Sequence, residues 1–496
     1  MSVWEYLALL ATAATALFWI WRRSAHNLPL PPGPTGHWLW GAEIPARRSF
    51  LKYAEWTKQY GPVCSFRSGL RTVVVIGSFQ AASDIMEKEG VATADRPRAI
   101  AGSDIMSGGM RILLIGVGER FRKLRKALHV HLQPKAAATY EPMQLSNARQ
   151  LVRDILEDPD NHYQHAKRYS ASLILSLTYG QPSPSKKSDP NVQLIREYLI
   201  RLAQALRPGA HLVDDLPWVK YLPWYGRALR KAHLEELDLF QRQLQGARND
   251  IAKGDPPPSF AKYLLEKQGM LGLSDSEIAY LAGSMFGAGS ETTAAAISFV
   301  IMAAACHPEA QARVQEELDN VVGPDRLPSF ADWDALPQVR AFFSETYRWR
   351  PGTSGGIQHR TTKDIIYNGY RIPAGATLIA NHWSIGRDPE VFPDGDTFNP
   401  QRWIDDEGRV KESLKFPNFG YGRRICPGMP VANRSVFINT AILLQSFSIS
   451  QDPAHPIDTL SVRGEVVTLP DPFKAHFSVR HRRGVEGLQA LLAAEA

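Results

Sequence analysis

The sequence predicts a mainly α-helical protein with a smaller β region, an α+β fold. The strongest helical signal is an apolar run after Ser274 that continues to Pro308, begins on the capping-box sequence S-D-S-E and is long enough for about 30 helical residues, or roughly 45 Å. The β signal consists of short alternating segments, for example residues 63–66 and 72–76 around a Ser68-Gly69 turn. Long helices combined with a few strand pairs are typical of an α+β fold.

The composition excludes several classes of protein. The chain has 496 residues, 44% hydrophobic and 22% charged, which is ordinary for a globular protein and ample to bury a cofactor. The net charge of +7 is modest and the basic residues are dispersed, so nucleic-acid binding is not indicated, whereas an anionic membrane surface or an acidic partner would fit. The three cysteines, Cys64, Cys306 and Cys426, are odd in number and far apart, which argues against a disulfide scaffold and for a reducing compartment.

The N-terminal run predicts a membrane anchor. Residues 3–21 are apolar except for Glu5, and about 19 helical residues span roughly 28 Å, enough to cross a hydrocarbon core. A cleaved signal peptide is the alternative, but no basic stretch precedes the run and no convincing small-residue cleavage site follows it. Arg22 and Arg23 come directly after the run, which predicts that the rest of the chain lies in the cytosol.

The domain organisation follows from this anchor. We expect residues 1–23 to form the anchor helix, residues 24–36 a proline-rich hinge, and residues 37–496 a single domain. Residues 29–34 read P-L-P-P-G-P, which cannot be helical and predicts a stiff spacer that holds the domain off the membrane.

A ten-residue run near the C-terminus places one cysteine in an unusual setting. Residues 419–428 read F-G-Y-G-R-R-I-C-P-G. A thiolate that binds iron needs nearby positive charge and backbone N–H donors, which the arginines, the flexible glycines and the start of a following helix can supply to Cys426. Phe419 can cover the sulfur with an apolar ring. A structural cysteine in a glycine-rich turn is the alternative, but the joint pattern F-x-x-G-x-R-x-C-x-G is far more specific.

At these residues the sequence resembles the cytochrome P-450 family of heme-thiolate monooxygenases, and the resemblance runs from about Leu28 to the end of the chain. It implies the cytochrome P-450 fold and heme b (iron protoporphyrin IX) as cofactor, with Cys426 as the ligand of the iron. Because the sequence contains no C-x-x-C-H, the heme is not expected to be attached through thioether bonds.

The middle of the long predicted helix carries a second motif. Residues 283–293 read G-S-M-F-G-A-G-S-E-T-T, which contains the family's A/G-G-x-D/E-T-T/S pattern. The resemblance implies that small residues, including Gly289, let the helix pass over the heme. Thr292 would then hydrogen-bond the distal oxygen of bound dioxygen, and Glu291 would relay protons from solvent. The alternatives are a threonine that hydrogen-bonds back to its own helix and a solvated glutamate.

Three further residues are implied to contact the heme propionates. Residues 119–131 predict a basic amphipathic helix in which the family's W-R-x-x-R motif reads F-R-K-L-R and ends on Arg125. Phe121 replaces the tryptophan of the motif, so one propionate hydrogen bond should be missing or supplied elsewhere. By the same resemblance, His359 and Arg424 would also contact the propionates.

A third motif predicts support for the fold around the heme. Residues 337–349 predict an amphipathic helix that carries the family's E-x-x-R motif as Glu345 and Arg348. The resemblance adds Arg402 as a third partner. We assign this network to folding rather than to chemistry, because loss of one partner would leave an unpaired buried charge.

Two segments are expected near the substrate. Residues 96–118 are glycine-rich and irregular, which is typical of a loop that adapts to a ligand. Residues 206–224 mix Pro, Trp, Leu and Tyr and predict a lid of short helices over the cavity, a part of the family's fold that reaches the bilayer in some members. Plain core is the alternative for the second segment.

Two more hairpins complete the β region. Residues 361–375 alternate around an Asn-Gly pair and predict one hairpin. Residues 462–477 predict a terminal hairpin whose tip, at residues 469–470, reaches the pocket.

The predicted function is insertion of one oxygen atom from O2 into an apolar small molecule. The sequence contains no fused flavin or nicotinamide domain, so NADPH electrons are expected through a separate NADPH cytochrome P-450 reductase, docked on the basic residues Arg122, Lys123, Lys126 and Arg423. The C-P-G and H-R-T-T-K-D sequences resemble fungal microsomal members, which implies the endoplasmic reticulum membrane and a secondary metabolite such as a terpenoid. The alternatives are a heme-thiolate isomerase or dehydratase, and a non-catalytic heme-binding sensor.

Overall fold

The computed structural model describes residues 28–181, 190–207, 209–254, 257–464 and 466–494 of the chain. Helices make up most of this part of the chain and the strands are short, so the predicted mainly α fold with a smaller β region is confirmed.

The helices and strands have the following bounds. The α-helices are α1 Ser49–Tyr60, α2 Phe79–Ala82, α3 Glu119–Leu132, α4 Pro134–Ala138, α5 Glu141–Glu157, α6 His162–Tyr179, α7 Pro190–Ala205, α8 Arg227–Lys253, α9 Phe260–Glu266, α10 Gln268–Leu271, α11 Asp275–Cys306, α12 Pro308–Val321, α13 Pro337–Trp349, α14 His382–Ile385, α15 Met429–Ser446 and α16 Gly484–Ala494. The strands are β1 Val63–Ser68, β2 Arg71–Ile76, β3 His359–Arg360, β4 Ile365–Tyr367, β5 Tyr370–Ile372, β6 Thr377–Ala380, β7 Phe447–Ser450, β8 Val462–Arg463, β9 Leu469–Pro470 and β10 His476–Val479.

One four-stranded sheet forms the centre of the β region. Its strand order is β1-β2-β6-β3; β1 and β2 are antiparallel, with Val63 opposite Ile76, and β6 runs parallel to β2. The predicted strand pair is therefore confirmed. Gly69 in its turn has a φ of 56°, a left-handed conformation that glycine adopts at little cost.

The two predicted hairpins have different outcomes. β4 and β5 form the first, and the positive φ values of Asn368 and Gly369 in the turn are those of a type I′ turn. The second prediction is half wrong: β8 pairs with β9, but residues 469–470 form the returning strand rather than the tip, and β10 pairs with β7. Phe477 packs against Phe447 with ring centroids 5.5 Å apart, a distant contact that the local alternation of residues 462–477 does not reveal.

The long helix α11 is the core of the α region, as predicted. It begins at the capping box, in which the Ser274 hydroxyl accepts from the Glu277 N–H and the Glu277 carboxylate accepts from the Ser274 N–H. It continues for 32 residues to Cys306 and packs against α6, α8, α13 and α15. Gly283 lets α8 approach closely, because a Cβ at this position would lie 2.3 Å from the Phe240 ring.

Among the described residues, α11 is also the one helix long and apolar enough to cross a membrane. About two-thirds of its most apolar window (67%) is buried inside the protein, which is the pattern of a core helix. The predicted anchor at residues 1–23 lies outside the described residues, so it stays a prediction.

The proline-rich stretch is described from residue 28 onward. Residues 29–34 are not helical, as the prolines predict. They lie against the β region: the Pro32 carbonyl accepts from the Ser65 N–H at 2.9 Å, and the Pro29 carbonyl accepts from the Arg371 N–H at 2.8 Å. This part of the predicted hinge is thus attached to the domain.

The predicted adaptable loop and lid are fastened to each other. Residues 96–118 contain the π-helical turn Ile100–Ile105, and the lid contains the 3₁₀ turns Leu212–Asp214 and Pro217–Tyr221. The Asp214 carboxylate accepts from the Ala101 N–H at 3.0 Å. The short-helix character of the lid is therefore confirmed.

Candidate active site

The loop around Cys426 is closed by its own backbone. The Cys426 N–H donates to the Phe419 carbonyl at 2.8 Å, and Gly420 and Gly422 have φ values of 82° and 50°, which favour glycine. α15 begins three residues after the cysteine, at Met429. We call residues 419–428 the cysteine loop.

The sulfur of Cys426 receives several favourable contacts. Burial raises the pKa of the thiol, whereas the N–H groups of Gly428 and Met429, which donate to the sulfur, and the positive charge of Arg125 act to lower it. The residue is nevertheless accessible to solvent, so it is not enclosed on every side by the protein. Backbone donors and a nearby cation are what a metal-bound thiolate requires.

One face of α11 is open in the middle of an otherwise buried helix. Ala288 and Thr292 are exposed and Ala296 is half-buried, although most residues from Ile278 to Ala305 are buried. Residues four apart lie on one side of a helix. We call these three residues the open face of α11 and the solvent-accessible space beside them the opening.

The Thr292 hydroxyl forms the hydrogen bond to its own helix that the structural alternative predicts. Its hydroxyl donates to the Ala288 carbonyl at 2.9 Å, so it hydrogen-bonds back to its own helix, which continues without a break. The lone pairs of the same hydroxyl still face the opening and can accept a hydrogen bond. The geometry is therefore compatible with both interpretations of Thr292.

Glu291 is not a solvated residue. Its carboxylate lies 3.2 Å from the Arg196 guanidinium of α7, and the side chain is only 14% exposed. Burial, with the charge of Arg196, lowers the pKa of the nearby Lys167 to about 8, and the Glu291 charge opposes this shift. Glu291 thus lies between the open face of α11 and a group of cations closer to solvent.

Three arginines converge beside the cysteine loop: Arg96 and Arg424 are buried, and Arg125 is half-buried. Arg424 donates to the carbonyls of Ala94 and Ile115, both at 2.6 Å, and Arg125 donates to the Ile425 carbonyl. Arg96 donates to the Leu113 carbonyl at 3.1 Å and also to the Gln358 carbonyl. We call Arg96, Arg125 and Arg424 the cationic cluster.

The cationic cluster lacks a balancing anion in the part of the chain that the structure describes. Burial and the charges of Arg424 and Arg125 lower the pKa of Arg96 to about 9, and only Asp95 opposes this. Among the described residues no carboxylate forms an ion pair with the three arginines, and the neighbouring Asp95 pairs with Arg360 at 3.0 Å. Buried charges are normally paired, so this cluster fits a ligand with negative charges, as the two propionates of a heme would be.

His359 lies next to this cluster and is held as the neutral ring. Its Nδ1 lies 2.7 Å from the Thr93 carbonyl, to which it donates, and burial together with the Arg96 charge lowers its pKa to about 3. The other ring nitrogen remains available as a hydrogen-bond acceptor or, once an anion offsets the arginines, as a donor.

The substitution at Phe121 has a structural consequence. The Phe121 ring lies 3.6 Å from the guanidinium of Arg424, a close cation–π contact. The ring thus positions an arginine of the cationic cluster instead of donating a hydrogen bond itself.

The structure brings most of the predicted site residues together. Cys426, Arg125, Arg424 and His359 lie in one region. Arg96 was missed by the sequence interpretation; its only signal was a charged residue at the start of the glycine-rich stretch 96–118.

Two predicted contacts need comment. A Cβ at Gly289 would lie 2.5 Å from Ile174 of α6, so this glycine allows close packing of two helices. That it also lets α11 pass over the heme stays a prediction. Phe419 supplies its carbonyl to Cys426, while its ring packs edge-on against Tyr347 at 5.5 Å. That the ring covers the sulfur stays a prediction.

The predicted ion network beneath the site is confirmed. Glu345 accepts from Arg348 at 2.6 and 2.8 Å, from Arg402 at 3.0 Å and from the Trp403 indole at 2.9 Å. Glu345 and Arg348 are fully buried. The network ties α13 to the segment that leads to the cysteine loop.

This combination of fold, thiol and cationic cluster defines a heme-thiolate oxidoreductase. The family model described as cytochrome P-450 matches residues 31–477, and the chain belongs to this family. The chain is 52% identical over 467 residues to cytochrome P-450 monooxygenases 88 and 64 of Postia placenta, with 94% of each chain covered. It is 37% identical to a cytochrome P-450 monooxygenase of Armillaria gallica over 96% of this chain and 94% of the relative. The protein is thus a monooxygenase of a family that uses heme iron and O2.

Proposed function

We propose that the protein inserts one oxygen atom from O2 into an apolar small molecule, using heme b held by Cys426 and NADPH electrons from a separate reductase. The observation that carries this proposal is the convergence of a thiol supplied with N–H donors and the cationic cluster, whose arginines have no ion-paired carboxylate among the described residues. In this proposal Arg96, Arg125 and Arg424 bind the propionates. When bound, the heme supplies the activation of dioxygen.

The chain supplies protons on the side of α11. The second oxygen atom leaves as water, so each turnover requires two protons and two electrons, which NADPH and solvent provide. In this proposal Thr292 Oγ1 accepts a hydrogen bond from a water on the Glu291 side. Its own proton, which the structure places on the Ala288 carbonyl, would turn away from that carbonyl and be donated toward the reaction side. Glu291 takes up protons from the solvent side, which requires its ion pair with Arg196 to loosen.

A basic surface near the cysteine loop supports docking of NADPH cytochrome P-450 reductase. Arg122, Lys126 and Arg423 are exposed, and Lys123 is half exposed and pairs with Glu119 at 3.2 Å. Exposed cations of this kind attract an acidic partner at low ionic strength.

An aromatic surface supports attachment to the endoplasmic reticulum membrane. Trp38, Trp40, Tyr221 and Trp224 are exposed by 64 to 77%, which is unusual for large aromatic side chains. Tryptophan and tyrosine favour the membrane interface. Together with the apolar run at residues 3–21, this surface supports a single-pass protein whose catalytic domain lies in the cytosol.

The substrate class is inferred from the open face of α11. Ala288 and Ala296 offer only methyl groups to the opening, and Thr292 is the one polar residue among the three. An apolar substrate, such as a terpenoid of secondary metabolism, suits such a wall. Incubation of the reconstituted enzyme with a panel of terpenoids and detection of oxygenated products would test this inference.

A spectrum of the reduced protein with carbon monoxide tests the thiolate. We expect a band at about 450 nm, the signature of heme-thiolate ligation. Cys426→Ser should abolish it, whereas the matched control Cys306→Ser, which changes a thiol outside the site, should retain it. A band that survives in Cys426→Ser would overturn the proposed ligand.

Oxidation kinetics separate the proposed function from its alternatives. With reductase present, added substrate should accelerate NADPH and O2 consumption and yield an oxygenated product. An isomerase or dehydratase would convert substrate without NADPH, and a sensor would bind ligand without either reaction.

A further inference from the structure

Two neighbouring carbonyls of α11 each accept a side-chain hydroxyl. The Ala288 carbonyl accepts from Thr292 of the same helix at 2.9 Å. The Gly289 carbonyl accepts from Ser170 at 2.6 Å, and this hydroxyl comes from a different helix, α6. Ser170 is only 1% exposed, so its hydroxyl is held between the two packed helices. The two hydrogen-bonded carbonyls are separated by a single Cα atom, that of Gly289.

Gly289 is a flexible joint between the two carbonyls. Because glycine has no Cβ, its φ and ψ angles are the least restricted of any residue, and a glycine inside a helix lowers the stability of that helix. Rotation about these angles would change the direction of one carbonyl relative to the other. α6 restricts this rotation in two ways: Ser170 bonds the Gly289 carbonyl, and Ile174 packs so closely that a Cβ on Gly289 would lie 2.5 Å from it.

The direction of the Ala288 carbonyl matters because this carbonyl holds the Thr292 hydroxyl. In the proposed function the hydroxyl turns away from the carbonyl and donates its proton toward the reaction side. The carbonyl is not left without a partner, since α11 is continuous and the Thr292 backbone N–H bonds to the carbonyl four residues earlier. The turn of the hydroxyl therefore breaks one hydrogen bond of Thr292, and its ease depends on where the Ala288 carbonyl points.

We propose that Ser170 is a positioning residue for oxygen insertion: its hydrogen bond fixes the peptide groups on both sides of Gly289 and thereby the direction in which Thr292 donates. This inference rests on the proposed proton-transfer role of Thr292. Ser170 acts through the backbone of α11 and does not touch substrate, because its side chain is buried between α6 and α11.

The alternative is a hydrogen bond that only strengthens the packing of α6 on α11. The two roles differ in their dependence on Thr292. A packing bond has the same effect whether or not residue 292 carries a hydroxyl, whereas a positioning bond affects the reaction only while that hydroxyl is present. A double-mutant cycle separates the two roles, because it measures whether two substitutions act independently.

The test combines Ser170→Ala and Thr292→Ala, singly and together, in the full-length, heme-loaded protein with NADPH cytochrome P-450 reductase. The terpenoids of the panel above serve as probes. The readout is the ratio of O2 released as peroxide to O2 whose O–O bond is cleaved, obtained from O2 consumption and peroxide formation. A second readout, amide hydrogen exchange of residues 287–293 without reductase, reports the backbone of this segment independently of the reaction.

Ser298→Ala is the matched control. Ser298 is also buried, and its hydroxyl also donates to a carbonyl of α11, that of Ala294, at 2.8 Å. The substitution therefore removes the same kind of hydrogen bond from the same helix, but away from Gly289. Ser170→Thr is a second control, since it keeps the hydroxyl at residue 170.

We expect Ser170→Ala to keep the carbon monoxide band and to raise the peroxide ratio by about two- to tenfold, the factor that loss of one hydrogen bond gives. Amide exchange of residues 287–293 should become faster by a similar factor. Ser298→Ala should change neither readout at this segment, and Ser170→Thr should restore the ratio of the unsubstituted protein. In the Thr292→Ala background, Ser170→Ala should raise the ratio no further.

The outcomes that would overturn the inference differ from those that would overturn the proposed function. If Thr292→Ala raises the peroxide ratio and Ser170→Ala does not, or if the two effects are independent, only the role of Ser170 fails. Failure of both Ser170→Ala and Ser170→Thr to bind heme would show an architectural role and would also overturn it. If Thr292→Ala itself leaves the ratio unchanged, the proposed proton transfer fails, and the role of Ser170 fails with it.

Discussion

The cysteine loop and the open face of α11 are the two halves of the proposed site, and they are held in different ways. In the cysteine loop the backbone is closed by a hydrogen bond from Cys426 to Phe419, and the neighbouring arginines are buried with their guanidinium groups fixed on carbonyls. On α11, Thr292 bonds only to its own helix, and Glu291 shares an ion pair with Arg196, which is 42% exposed. One half is suited to hold a cofactor and the other to exchange protons with solvent.

The difference has an energetic cost on the cysteine side. Two buried arginines and a half-buried one, without an ion-paired carboxylate among the described residues, destabilise the protein until an anion binds, because burial favours the neutral form of each group. Binding of the propionates would remove this cost, so folding and heme binding should support each other. Within the described ranges, the α11 side has no comparable group of buried like charges, and its ion pair is partly screened by water.

The largest effect is expected when the cationic cluster is broken. Arg96→Met should weaken heme binding by about 10- to 100-fold, since a hydrogen bond to a charged group contributes about 1.5–3 kcal/mol. The heme-free protein should become more stable, because the substitution removes a buried charge that has no ion-paired carboxylate among the described residues. Heme transfer to an acceptor protein and chemical unfolding would measure the two effects.

The control for this prediction is Arg98→Met, which removes a cation two residues away that is exposed and paired with Asp104 at 3.0 Å. It should leave both quantities nearly unchanged. Loss of heme affinity together with loss of apoprotein stability in Arg96→Met would show that Arg96 is structural and would contradict the difference between the two halves.

The next effect concerns the hydroxyl on α11. Thr292→Ala should retain heme and the carbon monoxide band but lower the product formed per NADPH by about tenfold, with peroxide made instead, because proton transfer by a positioned group contributes at least this much. Thr293→Ala is the matched control, since Thr293 is buried away from the open face. If Thr292→Ala forms as much product per NADPH as the unsubstituted protein, the hydroxyl has no role beyond its hydrogen bond to the Ala288 carbonyl.

Local patterns in the sequence predicted the parts of the molecule whose cause is local. The capping box at Ser274 fixed the start of α11, and the Asn-Gly pair at residues 368–369 fixed a hairpin turn. The cysteine loop is likewise closed by residues within one short motif. Such features depend on neighbours in the chain, so a single sequence contains their explanation.

The missed features depend on residues far apart in the chain. Glu291 meets Arg196 only because α7 crosses α11. Gly289 must be small because Ile174 of α6 packs against it. Arg96 joins the cluster because a loop returns to strand β3. These partners are too far apart in the sequence for hydrophobic periodicity to reveal them. Helix propensity does not determine which helices contact each other.

The pH dependence of the stability of the heme-free protein is a further test of the cysteine side. Burial and the Arg96 charge lower the pKa of His359 to about 3, against about 6.5 in an unfolded chain. Between these two pH values the unfolded state binds a proton at His359 and the folded state does not. The heme-free protein should therefore lose stability as the pH falls from about 6.5 toward 3, by at most about 1.4 kcal/mol per pH unit for this one group. Above pH 6.5 the contribution vanishes.

His359→Gln should reduce this acid sensitivity, and denaturant unfolding at a series of pH values would measure it. The control is His455→Gln, because His455 is exposed and lies outside the site. In the heme-loaded protein the slope should be smaller, since bound propionates offset the arginine charges that keep His359 neutral. An equal slope in His359→Gln and in the unsubstituted protein would contradict this account.

The smallest effect is expected at the ion pair on the α11 side. Arg196→Gln removes the partner of Glu291, and exposed pairs contribute about 0.2–1 kcal/mol, so stability and turnover should change by no more than about fivefold. What should change is the pH profile of coupling, because loss of Arg196 releases the Glu291 carboxylate from its ion pair. Arg201→Gln is a close control: it lies on the same helix, is 43% exposed and pairs with Glu235 at 2.7 Å. If both variants shift the profile equally, the effect belongs to the charge of α7 in general, and Glu291 is not the group that passes protons to Thr292.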